Sequence, residues 1–238
     1  MSQDALPIYQ QIADKLRQNI QDAVFQVGDR LPTETELSKQ FGVNRHTLRR
    51  AIELLRHEGT VRVEQGRGTF VMAAPITVAI GKRVRFNESL KAQSVEPQWQ
   101  ILRVTQISAD TRIAQSLEIA SAATVVLYER VSLADQAPLS LARSYFPEAL
   151  FPDLPAHCQA YHSVSALFQT EYDCDHIRRS TRLSARLPST QDARILRMPA
   201  TKPVLLSESI NVDQRGRVIE YGVTQFRGDR MELFIKND

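Results

Sequence analysis

A cluster of basic and polar residues lies between positions 44 and 50 of this 238-residue chain. Its members are Asn44, Arg45, His46, Thr47, Arg49 and Arg50. The guanidinium group of arginine donates two parallel hydrogen bonds, a geometry that matches both a phosphate and the edge of a guanine base. The cluster therefore has the chemistry that contact with nucleic acid requires.

The positive charge of the chain is concentrated around this cluster. Residues 1–38 contain three bases and six acids, a net charge of −3, whereas residues 39–72 contain seven bases and three acids, a net charge of +4. The whole chain has a formal net charge of only +3. Such focusing is typical of a surface that meets phosphates, although the same arginines could form a merely solvated face.

A first helix is predicted ahead of the cluster. It begins at Pro7, where the missing N–H costs no hydrogen bond, and the helical region ends at Gly28. Apolar residues recur every four positions along it, at Ile8, Ile12, Leu16 and Ile20. This spacing predicts an amphipathic helix with one buried face.

Two further helices are predicted to position the cluster. Thr33 and Glu36 have the spacing of a capping box, and the short helix that they start ends at Gly42. Asn44 is a good N-cap for the next helix, which ends at Gly59. Helix, tight turn and helix form a helix-turn-helix, whose second helix presents its N-terminal end to the major groove. The cluster lies at that end.

Two short strands follow the third helix, at residues 61–63 and 69–71, and the segment 64–68 joins them. Gly66 and Gly68 flank Arg67 in this segment, so the tip of a hairpin can approach a DNA backbone closely and deliver charge. The element order predicts a winged helix-turn-helix over residues 1–72. Because all these signals fall in register, they favour DNA binding over the solvated face.

This region resembles the GntR family of bacterial transcription regulators. The resemblance is carried by Pro7-Ile8-Tyr9-x-Gln11-Ile12, Gly28-x-x-Leu31-Pro32-Thr33-Glu34-x-x-Leu37, Phe41-Gly42-Val43-Asn44-Arg45-x-Thr47-Leu48-Arg49-x-Ala51 and Gly66-x-Gly68-Thr69-Phe70-Val71. It implies DNA contacts at Thr35, Asn44, Arg45, His46, Thr47, Arg49, Gln65 and Gly66. Thr35 stands where some members carry a basic residue. Arg45 and Arg49 are the best candidates for bidentate contact with guanine.

The remaining sequence predicts a linker at residues 73–85 and an α+β domain at residues 86–238. Strands are predicted at 100–107, 124–134, 138–146, 175–186, 203–212, 218–227 and 231–235, and helices at 87–92, 112–119, 163–171 and 190–197. An internal repeat at a spacing of 79 residues relates Leu117, Ile119, Val125, Val126, Leu127 and Glu129 to Leu196, Met198, Val204, Leu205, Leu206 and Glu208. Two such copies predict one antiparallel sheet with helices on one side.

This second domain resembles the effector-binding (UTRA-like) domain of the HutC subfamily, whose fold is related to that of chorismate lyase. Supporting stretches include Ser144-Tyr145-Phe146-Pro147, Ile219-Glu220-Tyr221 and Phe226-Arg227-Gly228-Asp229-Arg230. The resemblance implies a pocket for a small anion lined by Asn87, Arg130, Ser163, Ser165, Glu220 and Phe226. The chain departs from the sugar-phosphate pattern, because Ser132 replaces a frequent arginine and Ser165 a frequent tyrosine. Arg130 could alternatively pair with Glu129 or Glu208.

The stretch Ile177-Arg178-Arg179-Ser180-x-Arg182-Leu183-Ser184-Ala185-Arg186, taken with residues 43–52, is similar to the phosphonate-utilisation regulators of that subfamily. In a regular strand Arg178, Arg182 and Arg186 share one face. They could be solvated, pair with acids at a dimer interface or form an anion site, and solvation or pairing is the favoured interpretation for most of them.

Composition excludes several other classes. The hydrophobic content of 42% and charged content of 24% suit a soluble globular chain, and no apolar run approaches a membrane span. The N-terminus lacks the features of a signal peptide, so a cytoplasmic location is expected. Cys158 and Cys174 form no CxxC motif, and neither a metal nor a cofactor is expected. His176, beside Cys174, is expected to be an ordinary strand residue.

These observations predict a homodimeric, ligand-responsive transcription regulator, most simply a repressor of operator DNA, and not an enzyme. The expected effector is a small anionic metabolite that contains a phosphonate or phosphate group. Alternatives are a regulator of the same family that senses a sugar phosphate or a carboxylate, and an enzyme of the chorismate-lyase type fused to a DNA-binding head. An architectural DNA-binding protein would leave about 150 residues of folded domain without a role.

Overall fold

The computed structural model describes residues 6–72, 75–82, 86–134, 136–158, 160–161 and 163–235. The chain divides into two compact units, Met1–Pro75 and Ile76–Asp238. We call them the head and the effector domain.

The head is a small helical unit with a two-stranded hairpin. Its elements are α1 (Ile8–Gln21), α2 (Glu34–Phe41), α3 (Arg45–His57), β1 (Val61–Glu64) and β2 (Gly68–Val71). All three helices contribute to one core, in which Leu16, Leu37 and Leu48 are almost completely buried. The order of elements is that of a winged helix-turn-helix, as the sequence predicts.

Local side-chain chemistry sets the boundaries of the helices. Thr33 Oγ1 accepts a hydrogen bond from the Glu36 amide at 3.3 Å, and the Glu36 carboxylate accepts one from the Thr33 amide at 2.7 Å, which completes the capping box. Gly42 then ends α2 in the left-handed conformation. The first helix differs from its prediction, because it ends at Gln21, and Ile8 is 60% exposed instead of lying in the core.

We call strands β1 and β2 and the turn between them the wing, and a third strand-like segment pairs with it. Strands β1 and β2 pair in antiparallel register from Val61–Val71 to Glu64–Gly68. On the other edge of β2, the Leu31 amide donates to the Thr69 carbonyl at 2.8 Å, and Arg30 forms a bridge with Phe70. The segment between α1 and α2 therefore fastens the wing to the helices.

The effector domain is built on a six-stranded antiparallel sheet. Its strands are β4 (Gln98–Ser108), β5 (Thr124–Ala134), β6 (Ala137–Pro147), β7 (Ile177–Arg186), β8 (Val204–Val212) and β9 (Val218–Arg227), in the order β4-β5-β6-β9-β8-β7. Helices are α4 (Phe86–Lys91), α5 (Thr111–Leu117), α6 (Leu154–His157), α7 (Val164–Tyr172) and α8 (Thr190–Ile195). A short 3-10 helix spans Glu148–Leu150. The strand order is consistent with the repeat, since β4-β5-β6 and β7-β8-β9 run inward from opposite edges of the sheet and meet at the pair of β6 with β9.

A strand occupies part of the segment that the sequence assigns to a linker. Strand β3 (Ile76–Ile80) pairs in parallel with β10 (Met231–Ile235), near the other end of the chain. Ile76 pairs with Met231, which lies about 155 residues away in the sequence. Because its partner is so distant, no local sequence pattern predicted this strand. The rest of the predicted linker includes residues 73–74 and 83–85, which lie outside the described residues.

Helices cover both faces of the sheet, which corrects the prediction that they lie on one side. Val125 packs with the residues of α5 in one core cluster, whereas its neighbour Val126 packs with those of α7 in another. Adjacent strand residues point to opposite faces, so the two helices lie on opposite faces too. The strand β5 is correspondingly buried on both sides and lacks the alternating pattern of a half-exposed strand.

Candidate functional site

The N-terminal end of α3 is an exposed, basic surface. Seven of the eight residues assigned to DNA contacts are exposed, namely Thr35, Asn44, Arg45, His46, Arg49, Gln65 and Gly66. Thr47 is partly buried. Arg45, in the first turn of α3, forms no ion pair with any described residue, which leaves its guanidinium available to an external partner.

The other members of the cluster already have partners within the head. Asn44 Oδ1 accepts a hydrogen bond from the Thr47 amide at 2.8 Å, so this oxygen caps the helix. Arg49 Nε donates to Glu34 Oε2 at 2.8 Å, in an exposed ion pair that contributes little stability and can be exchanged for a phosphate or base. The guanidinium of Arg50 stacks 4.1 Å from the centre of the Tyr9 ring and so braces α3 against α1.

The wing tip combines an unusual backbone with charge. Gly66 has φ of +74° and Gly68 has φ of +119°, both conformations that favour glycine. Arg67 and Arg62 both form ion pairs with Glu64, each at 2.7 Å. The wing tip thus carries a net charge of +1. Its two glycines have no side chains that would keep the backbone of the turn away from a DNA backbone.

The effector domain contains a cavity of about 370 Å³. All six residues assigned from the resemblance line it: Asn87, Arg130, Ser163, Ser165, Glu220 and Phe226. They come from α4, β5, the start of α7 and β9. The wall also includes Val78, Ala79 and Ile80 of β3. At one end Phe226 and Phe86 make an apolar patch, with ring centres 6.2 Å apart.

Small side chains on the central strands create the cavity. Its floor includes Ala142 and Ser144 of β6, Gly222 and Thr224 of β9, and Ser207 and Ser209 of β8. The register places Ser144, Gly222 and Ser209 in one row across the three strands. A Cβ on Gly222 would lie 2.8 Å from Ser209 Oγ, so a larger residue at this position would displace the Ser209 hydroxyl.

A buried hydrogen-bond network crosses the polar end of the cavity. Ser165 Oγ lies 2.8 Å from His176 Nδ1, and His176 Nε2 lies 2.5 Å from Glu220 Oε2, which also accepts from Asn211 Nδ2 at 2.5 Å. Burial raises the pKa of Glu220, but His176 and hydrogen bonds from Ser144 and Asn211 outweigh it and hold the pKa at about 2. Glu220 is therefore ionised at neutral pH.

Arg130 does not form the intramolecular pairs that the sequence left open. Glu129 instead accepts from Arg143 at 2.6 Å, and Glu208 pairs with Arg112. The Arg130 guanidinium lies 5.6 Å from the centre of the Tyr128 ring, and its buried Nε has no hydrogen-bond partner among the described residues.

The expectation that Arg178, Arg182 and Arg186 share one face is wrong. The pairing of β7 with β8 shifts by one residue between Arg178 and Ser180, so the strand contains a β-bulge there. Arg178 consequently lines the cavity, whereas Arg182 lines a separate, open cleft of about 480 Å³ on the other face. The charges in that cleft are partly neutralised internally, because Glu208 accepts from Tyr221 at 2.7 Å and pairs with Arg112.

Several polar residues of the cavity were not assigned to it from the sequence, among them His176 and Asn211. For Arg178, an anion site was only one of the alternatives. His176 is 6% exposed and belongs to the network, so it is not the ordinary strand residue that was expected. A signal for Asn211 was present. Small or polar residues occupy every second position at Ser207, Ser209 and Asn211, which indicates a strand with one polar face.

Two sequence families account for most of the chain. Residues 8–71 match bacterial regulatory proteins of the gntR family, and residues 92–232 match the UTRA domain. This chain belongs to the gntR family of regulators that carry a UTRA domain. Such a regulator binds DNA through its head and a small-molecule effector through the UTRA domain.

Relatives of this gntR-family regulator extend over almost its full length. The mannosyl-D-glycerate transport/metabolism system repressor MngR of Escherichia coli is 32% identical and covers 94% of this chain and 92% of its own. The probable transcriptional regulator PhnF of the same organism is also 32% identical, with 96% and 95% covered. The crystal structure of PhnF from Mycobacterium smegmatis superimposes with a TM-score of 0.70 at 26% identity, covering 95% and 99%.

These similarities confirm the predicted fold class and the resemblance to the phosphonate-utilisation type. They also identify the gntR-family chain as a regulator and not an enzyme, because these relatives are named as regulators. Within the described part of the chain, no helix is long and apolar enough to cross a membrane. The same residues contain no cluster of three or more potential metal ligands of the His, Cys, Asp or Glu types.

Proposed function

We propose that this regulator is a dimeric repressor whose affinity for operator DNA is modulated by a small anion that contains a phosphonate or phosphate group. The observation that carries the proposal is the cavity, which combines Arg130, without a carboxylate partner among the described residues, with Ser163 and Ser165 at the start of α7. The amides of a helix N-terminus and a guanidinium both favour an anion.

The DNA-binding half of the proposal rests on α3 and the wing. Arg45 and Arg49 supply contacts to guanine in the major groove, and Gln65 and Gly66 bring the wing to the backbone. A dimer presents two such heads to a near-palindromic site with half-sites about one helical turn apart.

The proposed mechanism is a shift between two arrangements of the dimer. A ligand moves this equilibrium only if it binds one arrangement more tightly than the other. Strand β3 supports such a coupling, since it lines the cavity and begins at Ile76, directly after the last residue of the head in sequence. An anion that favours a spacing unsuited to the operator would release the DNA.

Thermal unfolding of the full chain with phosphate, methylphosphonate, a sugar phosphate and a small carboxylate tests the ligand class. A ligand at 100 times its Kd adds about 2.7 kcal/mol and raises the midpoint of unfolding. A shift with the phosphonate or phosphate ester, together with a change of more than about twofold in operator affinity, is expected. A shift with the carboxylate alone would retain the regulator and discard the phosphoryl effector.

A second candidate effector is a carboxylate or a sugar phosphate. The Glu220 and Asn211 pair favours a ligand with hydroxyl or amine groups, as a sugar has, because ionised carboxylates and amide oxygens accept hydrogen bonds. MngR is named as the repressor of a mannosyl-D-glycerate transport/metabolism system, and a sugar-derived effector for this regulator would be consistent with such a relative. In the same unfolding assay, a shift with glucose 6-phosphate but not with methylphosphonate or phosphate would favour the sugar phosphate, and a shift with the small carboxylate alone would favour a carboxylate.

A further inference from the structure

We infer that the effector carries two separate acidic groups, one contacted by Arg130 and the other by Arg178. This inference rests on the proposed function and narrows it from a small anion in general to a molecule with an anionic group at each end. Arg178 thereby becomes a ligand-binding residue, although it lies outside the set of residues assigned from the resemblance.

Arg130 and Arg178 lack the carboxylate partners that other partly buried arginines of the domain have. Arg143 pairs with Asp192 at 2.6 Å, and Arg227 pairs with Asp229 at 2.9 Å. By contrast, neither Arg130 nor Arg178 forms an ion pair with a described carboxylate, and the Nε atom of each is buried without a hydrogen-bond partner. Both line the cavity.

A partly buried guanidinium without a counter-charge is unfavourable. Burial lowers the pKa of Arg178, which reflects the lost hydration of its charge, and the charge of Glu220 opposes this effect. Glu220 is itself engaged by His176, Asn211 and Ser144, so its negative charge is shared. A bound anion would supply the missing partner of Arg178 and make the site electrostatically complete.

The two arginines enter the cavity from strands that are not neighbours in the sheet. Strands β6, β9 and β8 separate β5 from β7, so the strand axes are about 19 Å apart at about 4.8 Å per strand. When the strand pairing is followed across the sheet from Arg130, the residue aligned with it on β7 is Leu183. Arg178 lies five residues before Leu183 along β7. The separation is therefore diagonal as well as lateral.

Arg178 is also fixed at its own side of the cavity. Its Nη1 donates to the Gly81 carbonyl at 3.0 Å, and its amide donates to the Lys82 carbonyl at 2.8 Å. Between the two arginines the floor consists of small residues such as Ala142, Gly222 and Ser209, which leave room for the body of a ligand. A phosphoryl group at Arg130 and Ser163, with a carboxylate at Arg178, fits this arrangement.

A matched pair of compounds tests the inference by isothermal titration of the full chain. The probes are 3-phosphonopropionate and propylphosphonate, which differ only in a carboxylate that replaces a methyl group. The wild-type protein is expected to bind the phosphonocarboxylate at least about tenfold more tightly, the effect of one added ion pair of about 1.4 kcal/mol. Arg178→Gln should remove this preference, whereas Arg130→Gln should weaken the binding of both compounds.

Arg182→Gln is the matched control, because Arg182 lies on the same strand but faces the other side of the sheet. It should retain the wild-type preference. Should Arg178→Gln unfold, Arg178→Lys keeps the charge but not the planar fork, and a reduced preference in that variant supports the inference. Retention of the full preference in the folded Arg178 variant would overturn it, as would equal affinity of the wild-type protein for both compounds.

The two proposals fail in different ways. If propylphosphonate binds and changes operator affinity while Arg178→Gln has no effect on either compound, the second acidic group is wrong and the proposed function stands. If neither compound binds or alters operator affinity, the phosphoryl effector of the proposed function is wrong, and the inference that depends on it is overturned as well.

Discussion

His176 Nε2 lies 2.5 Å from Glu220 Oε2, and both side chains are almost completely buried beneath the cavity of the effector domain. The pair comes from β9 and from the residue just before β7, which lie on either side of β8. This contact connects the start of the edge strand β7 to the central strand β9 at the polar end of the cavity. A ligand in the cavity thus meets a pre-organised carboxylate whose Oε2 atom already accepts hydrogen bonds from His176 and Asn211.

This pairing makes stability depend on pH through Glu220. Its folded pKa of about 2 is below the ordinary value of 4.5, so the stabilising contribution is present above about pH 4.5 and is lost as pH falls toward 2. The full contribution is on the order of 3 kcal/mol. The difference in unfolding free energy between wild type and Glu220→Gln, from urea denaturation, should shrink from pH 7 to pH 3. A difference that stays constant would show that Glu220 is protonated or unpaired.

Arg45 is expected to contribute to operator recognition and not to stability. It is exposed and has no ion-pair partner among the described residues, so Arg45→Ala should leave the unfolding temperature unchanged. Operator affinity should fall by about 1–3 kcal/mol for each half-site in fluorescence anisotropy. Arg56→Ala is the control, since Arg56 is exposed on the last turn of the same helix and pairs with Glu53. Equal losses in both variants would mean that only net charge matters.

The ion pair between Arg49 and Glu34 predicts that substitutions of its two residues have opposite effects on DNA binding. Arg49→Ala should weaken operator binding, whereas Glu34→Gln releases Arg49 and removes a negative charge, and so should maintain or strengthen binding. Both variants should change stability by less than about 1 kcal/mol, because the pair is exposed. Weaker binding by Glu34→Gln, measured in the same anisotropy assay, would mean that the pair itself positions Arg49.

Gly68 should be the more sensitive glycine of the wing. Its φ of +119° is accessible essentially to glycine alone, and an added Cβ would lie 2.5 Å from Arg30 Nε. Gly68→Ala should lower the free energy of unfolding of the head by about 1–3 kcal/mol. Gly66→Ala, whose Cβ meets no atom within 4 Å, should cost less. The double variant Gly68→Ala with Arg30→Ala should relieve the close contact but not the backbone strain. Its unfolding temperature should therefore return only part of the way to that of the wild type.

The cysteines should be unreactive in the folded protein. Cys158 and Cys174 are about 95% buried, and burial raises the pKa of each thiol to about 11. At pH 8 only about one thiol in a thousand is then the nucleophilic thiolate. Titration with Ellman's reagent should detect no rapid reaction in the native protein and two thiols in urea. A rapidly reacting thiol in the native protein would show that the core cluster that contains both cysteines opens.

Short-range signals were sufficient for the head. The capping box of Thr33 and Glu36, the N-cap Asn44 and the turn at Gly42 each act within four residues, and all appear in the structure as predicted. Strands β4 to β10 of the effector domain were also predicted to within about two residues, because each combines apolar residues with a clear turn, whereas β3 was assigned to the linker. The cavity residues were assigned through resemblance, and all six line one cavity. Their ligand contacts stay a prediction.

Tertiary structure alone decided which side chains complete the site. One extra residue in β7 turns Arg178 into the cavity, whereas a regular strand would have placed it with Arg182. The pairing of β3 with β10 and the contact of His176 with Glu220 join residues far apart in the chain. The sequence by itself determined the winged helix-turn-helix, because caps, turns and periodicity are local. Register and long-range pairing depend on the packing of the whole sheet, so the second arginine of the cavity became visible only in the folded domain.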